Sequence, residues 1–264
     1  DGIYSIKSKA QDYADNNETT LSSISINVDI AGPQNLVLTI NDANIFTNNE
    51  LIDLNIYSNS IDLNKMKFSC DNVNWSAEQD YAQFVNDFNI NNETLGCNAN
   101  QGSKTLYVGV SDYFNNLSQA NDSIIFDSVN PSTINDYSEY WHNADYNIAL
   151  NASDLTSGVY KTFYQINASG FVEGNTISIN GIDGNKIIDF YSIDNAGNVE
   201  DANTIYALLD KTKPETNDDS DGLWHNSDFN ITLSMNDTNS QIAHTYYQID
   251  ATGFIEGSLI LLLN

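Results

Sequence analysis

The chain has 264 residues and a formal net charge of −27, because 36 acidic residues face nine basic ones, all of them Lys. A field of that sign repels phosphate backbones and anionic headgroups, which excludes a nucleic-acid partner and argues against membrane-surface binding. Apolar residues make up 41% of the chain, too many for a disordered coil, yet no apolar run approaches the roughly 18 residues of a membrane-spanning helix.

The chain is organised by internal repeats. Residues 131–177 align without a gap onto residues 214–260 at an offset of 83. Shorter markers recur three times: a Gly, an Asp ten residues later, an Asn four residues after that Asp, and an Asp-x-x-x-Pro segment further on. The three sets are Gly2, Asp12, Asn16 and Asp29 to Pro33; Gly102, Asp112, Asn116 and Asp127 to Pro131; and Gly184, Asp194, Asn198 and Asp210 to Pro214.

Apolar residues alternate with polar ones between these markers, a pattern typical of strands with one buried face. The marker Gly is expected to take a positive φ and to open the penultimate strand of each repeat. The marker Asp is expected to bond a backbone N–H two residues on, with Asn or Asp in the left-handed position where Gly is missing. In chain order the alternation predicts strands around 6–8, 24–28, 36–40, 52–56, 106–108, 124–126, 146–152, 188–190, 205–209 and 229–235.

The marker prolines indicate domain boundaries, because Pro cannot donate to a strand ladder and stiffens a joint. They divide the chain into the C-terminal strands of a truncated domain at 1–33, whole domains at 34–130 and 131–213, and the N-terminal half of a truncated domain at 214–264. The predicted fold class is all-β, with tandem Ig-like antiparallel β-sandwich domains and partial domains at both ends. Half domains cannot bury their apolar faces, so the two ends are expected to fray or to pair with another chain.

Several short segments of the two whole repeats carry a family resemblance. In the second repeat these are Met66 to Ser69, Trp75-Ser76, Lys104 to Val108, Asp112 to Asn116 and Asp127 to Pro131. In the third they are Tyr164-Gln165-Ile166, Asp183-Gly184, Asp194 to Asn198 and Glu200. The whole chain resembles the tandem Ig-like repeats, of the Big type, in large bacterial and archaeal cell-surface or secreted proteins. The resemblance implies stacked β-sandwiches and no enzymatic activity.

Cys70 and Cys97 are the two cysteines of the chain and fall in the same predicted domain. In an exported β-sandwich they are expected to form a disulfide, which would stabilise the domain by roughly 3 kcal/mol in the chain-entropy model. The alternative is a pair of free thiols in a reducing compartment. Two cysteines at this spacing do not suggest a metal site.

One acidic segment suggests calcium. Residues 217–222, Asn-Asp-Asp-Ser-Asp-Gly, approximate the Asp-x-Asp-x-Asp-Gly run of a calcium loop. Asp219, Asp221 and Asp228 are therefore candidate ligands, with a solvated acidic linker as the alternative. No other cofactor is suggested.

Aromatic and histidine residues give weaker signals. Trp75, Trp141 and Trp224 could form a surface that stacks on sugars, although core packing is the commoner role of aromatics in sandwiches. His142 and His225 follow a Trp at the same place in the repeat, which favours a structural role over catalysis. No nucleophile, base or metal set converges on an active site.

The leading hypothesis is a structural or adhesive module outside the cell, serving as stalk, spacer or adhesion array. Its expected partners are neighbouring repeats of the same protein, with surface glycans or other cell-surface proteins as further possibilities and no direct insertion into a membrane. The alternative is an accessory module of a secreted enzyme that binds carbohydrate or another polymer through exposed aromatics.

Overall fold

The computed structural model describes residues 2–263, in which the helical segments are two short 3-10 turns, Asn41–Ala43 and Glu93–Leu95. No helix within that range is long and apolar enough to cross a membrane. The chain divides into two compact units. Unit 1 extends to Asn130 and includes Leu155–Gly158 and Asp194–Asn198, and unit 2 contains the other described residues.

The first ten strands lie in unit 1. They are β1 (Gly2–Ser8), β2 (Ser22–Val28), β3 (Val37–Ile40), β4 (Phe46–Thr47), β5 (Leu51–Tyr57), β6 (Leu63–Ser69), β7 (Gln79–Asp80), β8 (Phe84–Asn89), β9 (Gly102–Asp112) and β10 (Leu117–Phe126). β1 and β2 form a two-stranded antiparallel sheet, β3-β5-β8 a second sheet and β4-β10-β9-β6-β7 a third.

The second and third of these sheets enclose one core. Alternation places the buried side chains, because residues two apart on a strand point to the same face. In β5, for example, Ile52, Leu54 and Ile56 are buried while Leu51 and Tyr57 are exposed. The buried apolar residues from both layers are Leu38, Ile40, Ile52, Leu54, Ile56, Met66, Phe68, Ile90, Leu106, Val108, Val110, Ile124 and Phe126.

The remaining strands begin after Pro131. They are β11 (Ser132–Asn135), β12 (Tyr146–Ser153), β13 (Val159–Ile166), β14 (Val172–Glu173), β15 (Thr176–Ile179), β16 (Gly184–Asp194), β17 (Asn203–Leu209), β18 (Glu215–Asp218), β19 (Phe229–Asn236), β20 (Tyr246–Tyr247), β21 (Ile255–Glu256) and β22 (Leu259–Leu262). They form the sheets β11-β12-β15, β14-β13-β16-β17, β18-β19-β22 and β20-β21.

A second core lies between β11-β12-β15 and β14-β13-β16-β17. One layer contributes Ile148, Leu150, Ile177 and Ile179, and the other contributes Ile188, Phe190, Ala207 and Leu209. Two antiparallel layers around a shared apolar core are the sandwich architecture expected from the sequence, so the prediction of an all-β, Ig-like fold is confirmed.

Two of the marker Gly residues and all three turns at the marker Asp have the local conformations predicted for them. Gly102 opens β9 with a φ of 107°, and Gly184 opens β16 with a φ of 127°. The third residue after each marker Asp is left-handed: Asp15 (φ 64°), Asn115 (φ 65°) and Gly197 (φ 92°). Asp and Asn therefore take the left-handed position in the two turns that lack Gly, as predicted.

Candidate functional site

The marker Asp forms the same set of hydrogen bonds in all three hairpin turns. In the turn after β16, Oδ1 of Asp194 accepts from the backbone N–H groups of Ala196 (2.9 Å) and Asn198 (2.8 Å). Oδ2 of Asp194 accepts from the side-chain amide of Asn198 at 2.7 Å. The equivalent bonds of Asp12 involve Ala14 and Asn16, and those of Asp112 involve Phe114 and Asn116. The Asp–Asn spacing thus encodes a turn whose two side chains bind each other.

The marker Asn also reaches the chain that precedes its own repeat. Nδ2 of Asn116 donates to the carbonyl of Asp29 at 3.3 Å, and Nδ2 of Asn198 donates to the carbonyl of Asp127 at 2.8 Å. Asp29 and Asp127 are the Asp residues of the Asp-x-x-x-Pro markers. Each of these two turns is therefore bonded to the residues that end the previous repeat.

Carboxylate oxygens of Asp29, Asp62 and Asp112 lie within 4.8 Å of one another in unit 1. Asp112 is buried, and the other two are partly buried. Hard cations such as Ca²⁺ take carboxylate oxygens, and three carboxylates so close together repel each other unless a cation compensates them. The donor set fits a divalent cation.

The Asp112 carboxyl is held in its charged form by the turn. Burial acts to raise its pKa, but the hydrogen bonds from the Asn116 side chain and from the Asn116 and Phe114 amides outweigh burial, so the pKa lies below its usual value. Asp112 is therefore ionised at neutral pH and offers a negative oxygen to this acidic group.

Related contacts occur at the other Asp-x-x-x-Pro markers. Oδ2 of Asp127 accepts from the backbone N–H of Ser157 at 3.0 Å, and the side-chain amide of Asn195 donates to the Ser157 carbonyl at 2.8 Å. In unit 2, Oδ2 of Asp210 accepts from the backbone N–H of Ser240 at 2.9 Å. The Ser240 contact lowers the pKa of Asp210 against the opposing effect of desolvation.

The carboxylates of the three calcium candidates from the sequence do not all lie within 4.8 Å of one another. Oδ1 of Asp219 accepts from the N–H of Thr232 at 2.7 Å, whereas Oδ1 of Asp221 accepts from the N–H of Leu223 and faces Nε2 of His225, both at 3.0 Å. Within residues 2–263, the groups of three or more His, Cys, Asp or Glu side chains close enough to share an ion do not include Asp219, Asp221 or Asp228. Calcium at that segment stays a prediction.

The sequence analysis identified Asp29 and Asp112 as markers of the repeats and did not single out Asp62. Asp62 lies in the loop between β5 and β6 and belongs to no recurring marker. Its approach to the other two carboxylates depends on strand pairing, since β6 bonds to β9, which ends at Asp112. The recurrence of Asp at these turns was the feature of the sequence that could have indicated an acidic site there.

Cys70 and Cys97 are joined in a disulfide, with their Cα atoms 4.9 Å apart. The bond links the end of β6 to the segment after the Glu93–Leu95 turn. Cys97 is buried, and beside the disulfide Nζ of Lys104 donates to the backbone and side-chain oxygens of Asn98. Cys70 packs against the apolar core of unit 1, so the disulfide ties the segment after the Glu93–Leu95 turn to that core.

The three Trp residues have different surroundings. Nζ of Lys67 lies 5.3 Å from the ring centre of Trp75, Trp141 is 38% exposed, and Trp224 is fully exposed. The His residues beside the last two have equivalent partners: His142 stacks on Tyr146 and His225 on Phe229, each with ring centres 3.7 Å apart. This stacking agrees with a structural role for both His residues.

No protein-family model and no curated protein matches the chain. Solved structures with similarity include the fibronectin(III)-like modules of Clostridium thermocellum CbhA, at 12% identity and a TM-score of 0.40, covering 65% of this chain and 93% of that one. A tetra-tandem repeat in the extending region of a large adhesion protein has 15% identity and a TM-score of 0.33, covering 99% and 72%. A 1.5-MDa bacterial ice-binding adhesin has 12% identity and a TM-score of 0.42, covering 88% of each chain.

The strand order, the two-layer cores and the recurring turns define the class of protein. It is an all-β chain of tandem immunoglobulin-like antiparallel β-sandwiches, with turns that bond to the end of the preceding repeat.

Proposed function

We propose that the chain is a load-bearing structural and adhesive module of a cell-surface or secreted protein, in which successive sandwiches act as stalk or spacer. The observation that carries the proposal is the bond from each turn amide to the preceding repeat, Asn116 to Asp29 and Asn198 to Asp127. A hydrogen bond between a rigid turn and the adjoining chain restricts bending at that point. Restricted joints are what a spacer requires.

The charge and the disulfide support a location outside the cell. Disulfides persist in oxidising compartments and are rare in the cytosol, and this chain has one at Cys70–Cys97. A net charge of −27 makes neighbouring copies repel each other and keeps a crowded array soluble. Both features suit an exported repeat protein.

A divalent cation at Asp29, Asp62 and Asp112 is part of the proposal. These residues come from the end of one repeat, from a loop of the next and from its hairpin turn, so an ion shared by all three would tie two repeats together. The candidate calcium ligands Asp219, Asp221 and Asp228 remain a second possible location. In this role the ion is structural, and it takes no part in a reaction.

Single-molecule force spectroscopy on the 264-residue chain tests the load-bearing role. Residues 34–130 and 131–213 are expected to unfold in separate force peaks. The disulfide hides the segment between Cys70 and Cys97, a separation of 27 residues, from extension. Reduction of the disulfide should therefore increase the contour length that is released in one force peak by about 9 to 10 nm, at roughly 3.3 to 3.6 Å per residue. Smooth extension without force peaks would overturn the load-bearing role.

A calcium titration tests the ion separately. At tenfold excess over its dissociation constant, an ion that binds only the folded chain stabilises it by about 1.4 kcal/mol. We expect calcium to raise the thermal midpoint of the chain and of Asp87→Asn, which loses an exposed carboxylate of the same repeat. Asp62→Asn should lose this response. An equal calcium response in Asp62→Asn and Asp87→Asn would show that Asp62 is not a ligand of the ion.

A further inference from the structure

The Cys70–Cys97 disulfide borders a cavity that is open to solvent. The cavity has a volume of about 190 Å³, and both cysteines belong to its wall. Asn98 and Ser103, which line the same cavity, are exposed on the surface of the second repeat. A molecule of a few heavy atoms can therefore reach the disulfide from outside while the repeat stays folded.

The two cysteines differ in their accessibility. Cys97 is 7% exposed, whereas Cys70, which directly follows β6, is partly exposed. In thiol–disulfide exchange a thiolate attacks one sulfur and expels the other, and access decides which sulfur is attacked. The incoming thiolate should therefore bond to Cys70, and Cys97 should be the leaving group.

A buried cation lies beside the leaving cysteine. Lys104 is 7% exposed, and its Nζ donates to the backbone carbonyl and to Oδ1 of Asn98, the residue after Cys97. Nζ also lies 5.6 Å from the ring centre of Phe126. These partners are neutral, and the ion pairs formed among residues 2–263 do not include Lys104. Its uncompensated charge favours a thiolate on Cys97, which makes Cys97 the better leaving group.

A charged carboxylate borders the same cavity. Asp71 follows Cys70, and its Cγ lies 2.1 Å from the position that a Cβ on the cavity residue Gly96 would take, so the carboxylate occupies the space that this glycine leaves open. The backbone N–H groups of Val73 and Asn74 donate to Oδ1 of Asp71. With the net charge of −27, this carboxylate repels anionic reagents that approach the disulfide.

We propose that Cys70 is a site of reversible covalent modification by small thiols whose thiolate form carries no net negative charge, with aminothiols as the preferred class. The thiolate attacks Sγ of Cys70, a new S–S bond forms, and the bond between Cys70 and Cys97 breaks. Its electron pair leaves on Sγ of Cys97, where Lys104 stabilises the negative charge. Return attack by Cys97 on Cys70 expels the small thiol and restores the disulfide without an oxidant. The reaction depends neither on the proposed structural role nor on the cation.

Trapping the open state tests the direction of the attack. The oxidised chain is incubated briefly with cysteamine, quenched with iodoacetamide and mapped by mass spectrometry. We expect cysteamine on Cys70 and the carbamidomethyl group on Cys97, with the reverse arrangement at least about tenfold rarer. In concentrated guanidinium chloride, which exposes both sulfurs, this preference should disappear. Equal labelling of the two cysteines in the folded chain, or a disulfide that reacts only after unfolding, would overturn the proposal.

Substitutions at Lys104 separate its charge from its packing. Lys104→Gln removes the ammonium group and should slow the exchange by about tenfold, whereas Lys104→Arg keeps the charge and should keep most of the rate. The matched control Lys67→Gln removes one positive charge from a residue that contacts Trp75 and does not line this cavity, and it should react like the wild type. Circular dichroism identifies the folded variants. A folded Lys104→Gln chain that reacts as fast as Lys67→Gln would contradict the role of Lys104.

Three thiols of similar size test the preference for charge without any substitution. As thiolates, cysteamine has no net charge, mercaptoethanol has one negative charge and mercaptoethanesulfonate has two. The rate per thiolate should fall in that order, and added salt should reduce the differences, because it screens exposed charges. An equal rate for mercaptoethanesulfonate and cysteamine at low salt would exclude aminothiols as the preferred class.

Discussion

The side-chain amide of Asn198 donates a 2.8 Å hydrogen bond to the backbone carbonyl of Asp127, 71 residues earlier in the chain. The same Nδ2 atom also binds Oδ2 of Asp194 at 2.7 Å. Asn198 and both of its partners are buried. One amide therefore satisfies the carboxylate of its own turn and a carbonyl at the end of the preceding strand, so the turn and the joint are stabilised together.

Replacing this amide should destabilise the chain. Asn198→Ala leaves a buried carbonyl and a buried carboxylate each short of a partner, at a cost of about 1 to 3 kcal/mol. The matched control is Asn16→Ala, because Asn16 makes the same bonds to Asp12 in an exposed turn. Urea unfolding should show a clearly smaller loss for Asn16→Ala. Equal losses would mean that the bond to Asp127 adds nothing.

Removing the disulfide should lower stability through the unfolded chain. Replacing Cys70 and Cys97 together by Ser frees the 27-residue separation in the unfolded state, and the expected loss is about 3 kcal/mol. Unfolding in reducing buffer provides the control, since the reduced wild type should then match the double variant to within about 0.5 kcal/mol. A double variant as stable as the oxidised wild type would contradict this prediction.

The Asp71 carboxylate should make the second repeat sensitive to acid. Its pKa lies far below the usual value, because it accepts hydrogen bonds from the backbone N–H groups of Asn74 (2.7 Å) and Val73 (2.8 Å) and from the Asn74 side chain. A carboxyl with a lowered folded pKa stabilises the fold above its ordinary pKa. That contribution is lost as the pH falls through the folded value.

Thermal unfolding between pH 7 and pH 2 measures this effect. Asp71→Asn should be less stable than the wild type at pH 7, and the difference should shrink as the pH falls below the ordinary range of carboxyl groups. Asn74→Ala, which removes one of the contacts that lower the pKa, should give an intermediate profile. A constant difference between Asp71→Asn and the wild type at all pH values would rule out the ionic contribution.

The alternation of buried and exposed residues along β16 predicts a large loss of stability for substitution on one face and a small loss for substitution on the other. Phe190 is almost completely buried, so Phe190→Ala should cost about 3 to 5 kcal/mol in unfolding free energy. Ile187, which lies on the other face of the strand, is 44% exposed, and Ile187→Ala should cost no more than about 1 kcal/mol. Chemical denaturation checks both values, and similar losses would contradict the observed facing of β16.

The repeat markers made much of the fold predictable. The position of Gly184 gave the start of β16, and the Asp194–Asn198 spacing gave the turn after it, because both are local backbone requirements. The alternation of Ile148 and Leu150 gave the buried face of β12. Asp62 could not be found in this way, because its neighbours Asp29 and Asp112 are distant in the sequence and converge only after strands pair.

By itself, the sequence determined the all-β class, the repeat order, the turn conformations and the pair of cysteines, because these follow from residue periodicity, backbone preference and composition. The tertiary structure alone decided which Asp residues meet, where the Asn116 and Asn198 amides bind, and which apolar faces are covered. Those features depend on strand register and layer packing, which bring together residues that no local pattern connects.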